Sequence, residues 1–214
     1  MMLHYPVAAA IAFAVLVAVS LLHLFYKHKN ITKPLLLPLI AVFYVLASFA
    51  PRGIVIAAML ASWVGDVLLI KDGTKWFTFG GCAFMLSHFL FSLAYCRDIA
   101  FNRPQIYFAL LIVPVYLSVA AYIIHLIRDS AGKLTPALYL YLCFNAANNI
   151  FALLRLVSSP SLMTALTFCG TVLFFVSDCL LYIECFYGKQ KFNPFAPVMA
   201  TYILGETLIA IGMI

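Results

Sequence analysis

Four acidic side chains lie inside stretches that are otherwise apolar: Asp66 in AAMLASWVGDVLLI, Asp178 and Glu184 in FFVSDCLLYIECF, and Glu206 one turn beyond Tyr202 in the last segment. A carboxylate carried into a lipid-embedded helix costs about 2.5–3.5 kcal/mol on insertion scales, so such residues face a protein interior and have a task there. Two tasks fit: acid–base chemistry, or proton handling in a transporter. Asp178 and Glu184 stand about 240° apart around a helix and do not share a face.

The polar residues near these acids recur at helical spacing. Ser62 lies one turn before Asp66, His88 is followed by Ser92 and Tyr95, and Ser177 adjoins Asp178. Asn145, Asn148 and Asn149 form a third stripe. Each has a bland reading: Asp66 as an ion pair with Lys71 or Lys75, His88 as a hydrogen-bonded packing residue, and the amides as glue between helices at about 0.6–2 kcal/mol each. Zinc chemistry needs about three clustered ligands. Only His88 lies deep in an apolar run, while His4, His23, His28 and His125 lie near the ends, so neither a metal nor another cofactor is expected. The six cysteines, Cys82, Cys96, Cys143, Cys169, Cys179 and Cys185, show no metal-ligand spacing and read as small buried hydrophobes.

The elements that must position these groups follow from composition. Of 214 residues, 66% are hydrophobic and 9% charged, with a mean hydropathy of +1.09, against roughly 45–50% apolar usage in soluble domains. The fold class expected is an all-α, multi-pass bundle in one integral membrane domain over residues 1–214, with about eight spans of ~20 residues. The expected spans are Tyr5–Tyr26, Thr32–Ala50, Gly53–Ile70, Trp76–Cys96, Gln105–Ile127, Leu134–Val157, Leu162–Tyr187 and Phe192–Ile214. Positive charge follows the first apolar run rather than preceding it, so that run reads as a span and not as a signal peptide. Pro34 and Pro38 open the second span and free carbonyls that neighbours must satisfy.

The net charge of +6 sits in the connections. That is a topology signal, and nucleic acid is not an expected partner. Lys27, Lys29, Lys33, Lys71, Lys75, Arg128, Lys133, Lys189 and Lys191 fall on one side, against Arg52, Arg97, Arg103 and Arg155 on the other. The positive-inside rule then puts both termini outside, with Asp66 and the deeper Asp178 approaching one cavity from the cytoplasmic side.

Taken in order, TKPLLLPLI (Thr32–Ile40), SWVGDVLLI (Ser62–Ile70), FMLSHFLFSLAY (Phe84–Tyr95) and SDCLLYIECF (Ser177–Phe186) resemble the YhhN family, which includes animal and bacterial lysoplasmalogenases. On that resemblance Lys33, Pro34, Gly65, Asp66, His88, Ser177 and Asp178 occupy the family's marked positions. Two positions depart: Glu206 stands where a neutral residue such as Gln is more usual, and the position of Glu184 is variable. The resemblance implies a membrane-embedded hydrolase that splits the vinyl ether of a lysophospholipid. A vinyl ether is cleaved by protonation on carbon and capture of the oxocarbenium ion by water. That needs one protonated and one ionised carboxyl, as in glycoside hydrolysis. Asp66 and Asp178 are the expected pair. Lys33 is expected to meet the lipid phosphate, and His88, Ser177, Asn145, Asn148, Tyr202 and Glu206 are expected to complete the substrate site. The alternative from another class is a small-molecule or proton-coupled transporter, although no internal repeat is visible.

Overall fold

The computed structural model describes residues 4–25, 29–102, 104, 107, 110–187 and 195–214. The expected span ends Tyr26, Gln105 and Phe192, together with Lys27, His28, Arg103, Lys189 and Lys191, lie outside the described residues. Among the described residues every regular element is a helix: α1 (Pro6–Phe25), α2 (Lys29–Ala47), α3 (Gly53–Leu68), α4 (Thr74–Cys96), α5 (Val113–Ala131), α6 (Thr135–Ser158), α7 (Leu162–Phe186) and α8 (Phe195–Gly212).

Among the described residues, five stretches are long and apolar enough to cross a membrane: Pro6–Phe25, Asn30–Ala47, Thr74–Cys96, Leu110–Ser158 and Leu162–Phe186. The fourth is divided at Gly132, whose φ of 53° favours glycine and turns the chain from α5 into α6. Gly53–Leu68 and Ala196–Gly212 are shorter apolar helices, so the expectation of eight like spans is met only in part. At 1.5 Å per residue the 16 residues of α3 reach about 24 Å, short of the ~30 Å hydrocarbon core. The expected span to Ile70 ends early because Leu69 and Ile70 leave the helix in a tightened last turn.

Six helices pack neighbour to neighbour in a closed circuit, α2, α3, α4, α6, α7 and α8, with α8 returning to α2. α1 lies outside this ring against α2 and α8, and α5 lies outside it against α6 and α7. The outer surface is apolar, with Val7, Leu22, Phe79, Leu86 and Leu111 all exposed. Polar groups are instead buried: Ser62, Asp66, Ser87, His88, Asn145, Asn148, Asn149, Asp178 and Glu206. Such an arrangement suits lipid, where polar atoms must find partners within the protein. The cysteines correct one expectation. Cys82, Cys169 and Cys185 are exposed, Cys96 and Cys143 half-buried, and Cys179 is buried. A thiol is a small, weakly polar group that is tolerated on an apolar outer face.

The closest helix contact is between α7 and α8, where glycines face each other. A Cβ on Gly170 would lie 2.6 Å from the Gly205 carbonyl oxygen, and one on Gly205 would lie 2.9 Å from the Gly170 oxygen. Small residues at a seam let two membrane helices meet backbone to backbone.

α2 begins at Lys29, earlier than expected, so Pro34 and Pro38 both fall inside it rather than at its start. Pro38 has no N–H to offer the Pro34 carbonyl four residues back. The Trp63 indole N–H supplies the missing donor at 2.9 Å. This bond ties α2 to α3 beside Lys33 and Asp66.

The end of the bundle away from Lys33 is held by ions. Arg52 donates from both Nη atoms to Asp98 at 3.0 Å each, and Arg155 donates from Nε to Asp98 Oδ2 at 2.9 Å. Arg155 also reaches the Thr167 hydroxyl at 2.8 Å and the Gly212 carbonyl at 3.1 Å. One carboxylate and two guanidiniums thus gather the α2–α3 link and the ends of α4, α6, α7 and α8.

Candidate active site

Asp66 closes the last turn of α3 and points into the ring, 1% exposed. Its Oδ1 lies 3.4 Å from Lys33 Nζ on α2, and its Oδ2 accepts a 2.7 Å hydrogen bond from the Tyr202 hydroxyl on α8. The partner is therefore neither Lys71 nor Lys75. Lys71 lies past the helix end with its ammonium 4.0 Å over the Trp76 ring, on the outside of the turn that Asp66 leaves inward. The Trp63–Pro34 bond sets the depth of α2 against α3 and so brings Lys33 level with Asp66.

Asp178 lies on α7 in a second cluster. Its Oδ2 accepts from the Tyr141 hydroxyl at 2.7 Å and from Asn145 Nδ2 at 2.6 Å, both on α6, and His88 Nε2 on α4 stands 3.6 Å away. His88 Nε2 is also 3.3 Å from the Tyr141 oxygen. With the tyrosine proton committed to Asp178, Nε2 is the donor in that contact, and Nδ1 is left without a hydrogen-bond partner among the described residues. Asn149 supports Asn145 from one turn on, donating to its Oδ1 at 3.1 Å, and receives the Tyr116 hydroxyl from α5 at 3.1 Å. The outer helix thereby orients the inner amide.

The two clusters meet across aromatic rings. The Phe174 ring lies 5.2 Å from Tyr202, the partner of Asp66, and 4.7 Å from His88, beside Asp178. Phe84 completes the contact, 6.0 Å from Tyr202 and 6.1 Å from Phe174. Gly65 makes room for it, since a Cβ there would lie 2.6 Å from the Phe84 ring. No hydrogen bond joins the two aspartates, whose carboxyls are held by different tyrosines. Among the described residues no three His, Cys, Asp or Glu side chains are grouped as metal ligands.

The remaining expected residues divide. Glu206 is 0% exposed, and neither carboxyl oxygen has a hydrogen bond of good geometry. Ser62 is close enough to act on it, but its hydroxyl shares a 2.7 Å hydrogen bond with Ser87. Tyr202, one turn away, spends its proton on Asp66. Asn145 is in the site, whereas Asn148 is buried with neither side-chain atom hydrogen-bonded among the described residues. Ser177 gives its hydroxyl to the Val198 carbonyl at 2.9 Å and ties α7 to α8. Glu184 is half-buried, on another face from Asp178.

The sequence singles out Asn149 in the amide stripe without carrying it into the expected site, and it gives neither Tyr141 nor Phe174 as a site residue. Tyr141 precedes Asn145 by one helical turn, and extending the amide stripe backwards finds it. Phe174 carried no such signal, because an aromatic in an apolar run is indistinguishable from packing.

Beside the Asp178 cluster, an apolar cleft opens between α4 and α6, about 730 Å³ with the open space at its mouth included. Its floor includes Leu69, Phe84, Leu138 and Tyr182, and Tyr141 stands on its wall.

In comparisons with known proteins, a model of the YhhN family matches residues 28–213. No curated protein and no solved structure matches the chain.

Proposed function

This chain belongs to the YhhN family, and on that premise we propose that it is an integral membrane hydrolase cleaving the vinyl ether bond of a lysoplasmalogen. In this reading α1 to α8 are its spans, the short α3 and α8 included. The observation that supports it is the pair of aspartates from different helices, enclosed in one ring, each receiving a tyrosine hydroxyl at 2.7 Å. Their environments differ, Asp66 beside a cation and Asp178 among neutral donors, and unlike environments divide acid and base roles between two carboxyls.

One carboxyl delivers a proton to the alkenyl carbon remote from oxygen, leaving an oxocarbenium ion that the other carboxylate stabilises. Water adds to the carbon bearing oxygen, and the resulting hemiacetal collapses to a fatty aldehyde and a glycerophospho-alcohol. One water is consumed, and the proton returns to the acid. The route is the vinyl-ether counterpart of two-carboxylate glycoside hydrolysis. Lys33, half-buried at the edge of the ring, offers the lipid phosphate a point charge.

The test is aldehyde release from lysoplasmalogen by purified protein in detergent. Asp66→Asn and Asp178→Asn each lower it at least about 10³-fold, within the range for loss of a general acid or base, while the protein stays folded. Near-normal turnover in either variant removes the pair. Substrate counterflow in liposomes without aldehyde release would place the acids in a transporter.

A further inference from the structure

The cleft between α4 and α6 differs from another depression in the bundle. The second, about 640 Å³ between α1 and α8, is lined by residues such as Phe13, Leu16, Ile203 and Leu204. Its Ser20 hydroxyl is turned back onto the Leu16 carbonyl at 2.7 Å, and no residue lining it is bonded to a buried acid. The α4–α6 cleft is equally apolar but ends on a reactive group, since Tyr141 on its wall donates to Asp178. Its mouth is lateral: Thr78 and Cys82 of α4 and Ala137 and Leu140 of α6 line it and are exposed on the outer, apolar surface.

Resting on the hydrolase reading, we infer that this cleft seats the single unbranched hydrocarbon chain of the lipid substrate. The chain enters sideways from the bilayer, with the bond to be cleaved at the Tyr141 end. A chain leaving lipid for an apolar cleft gains little hydrophobic free energy, because lipid tails are as apolar as leucine. The cleft therefore acts by fit, setting how far along the chain the reacting carbon stands from Asp178. It also makes Asp178, rather than Asp66, the carboxyl nearest the alkenyl carbon. Lys33, paired with Asp66 on α2, is left for the polar end.

Gly81 is the position that tests this. It lines the cleft, and a Cβ there meets nothing within 4 Å, whereas its neighbour Gly80 would meet Leu69 at 3.0 Å. Gly81→Phe fills the cleft without moving the backbone, and a side chain is favoured over glycine within a helix. Across lysoplasmalogens of increasing chain length, Gly81→Phe lowers kcat/KM for the longest chains at least about tenfold while the shortest change less than about twofold, as when a pocket loses room for methylenes. Leu204→Phe, which fills the α1–α8 cleft, leaves the length profile unchanged.

A readout independent of turnover is photo-crosslinking with a lysophospholipid that carries a diazirine in its chain. Label is expected in the peptides 78–85 and 134–141, and Gly81→Phe removes it. Label on α1 and α8, or an unshifted length profile with label elsewhere, overturns the chain site while leaving hydrolysis intact. Label in the α4–α6 cleft from a protein that releases no aldehyde keeps the chain site and removes the hydrolase reading. Should Gly81→Phe fail to fold, the labelling of the unaltered protein still decides.

Discussion

Tyr202 and Tyr141 each donate a 2.7 Å hydroxyl hydrogen bond to a buried aspartate, the first from α8 to Asp66 and the second from α6 to Asp178. Each aspartate therefore has its proton-facing oxygen fixed by a neighbouring helix. Hydrogen bonds to a charged group are worth about 1.5–3 kcal/mol, so Tyr141→Phe and Tyr202→Phe should each reduce kcat about 10–100-fold with the protein still folded. A rate within twofold of the parent in either variant would show that the hydroxyl serves packing alone.

Glu206 separates burial from catalysis. It is enclosed like Asp66, but nothing donates to it with good geometry and its neighbour Tyr202 is engaged elsewhere. Glu206→Gln keeps the shape and is expected to change turnover less than about threefold, under ~0.7 kcal/mol. A loss as deep as that of Asp66→Asn would make this a three-carboxyl site.

Asp98, past the end of α4, gives stability a pH dependence. Burial pushes its carboxyl up, but the hydrogen bonds and charges of Arg52 and Arg155 outweigh that and hold it below the usual aspartate value. A lowered folded value means that the stabilisation is fully present above the unfolded value of about 3.9 and is lost as the pH falls through the folded one. Asp98→Asn should cost about 2 kcal/mol at neutral pH, less than the ~3–5 of a fully buried pair because Asp98 is partly exposed. Thermal unfolding in detergent checks this. The gap between parent and variant should be constant from about pH 5 to 8 and close below about pH 4, and a gap independent of pH would deny the ion cluster its role.

Orientation is checked with reporter fusions. The excess of lysine on one side puts fusions after Lys29 and Lys191 in the cytoplasm and a fusion at Ile214 outside. The reverse pattern would turn the bundle over, and the mouth of the chain cleft with it.

The membrane character and the helical class were legible in composition and in the apolar runs, because lipid leaves helices few alternatives. Asp66, Asp178 and His88 were legible as site candidates because a polar group in such a run stands out. What the polar atoms bond to was not. The lysine that pairs with Asp66 comes from α2 rather than from the adjacent turn, and that choice depends on Trp63 repairing the Pro38 gap, a contact between distant segments. Asn148 and Asn149 are identical in type and adjacent in the chain. Yet Asn149, a full turn from Asn145 on the same helix, holds it, while Asn148, rotated about 100° from Asn149, has no hydrogen-bond partner among the described residues. Ser177 sits beside Asp178 in sequence but turns to α8 for the same reason.

The glycine seam between α7 and α8 has a mechanical consequence. Gly170 and Gly205 hold two backbones in contact with no side chain between them to deform, so a displacement of one helix presses directly on the other. The pair carries Asp178 on one member and Tyr202, the anchor of Asp66, on the other. Asp178 and the hydroxyl that holds Asp66 thus share one rigid seam. In the proposed reading, a chain that parts α4 from α6 disturbs the 3.3 Å contact of His88 with Tyr141 but leaves this seam in place.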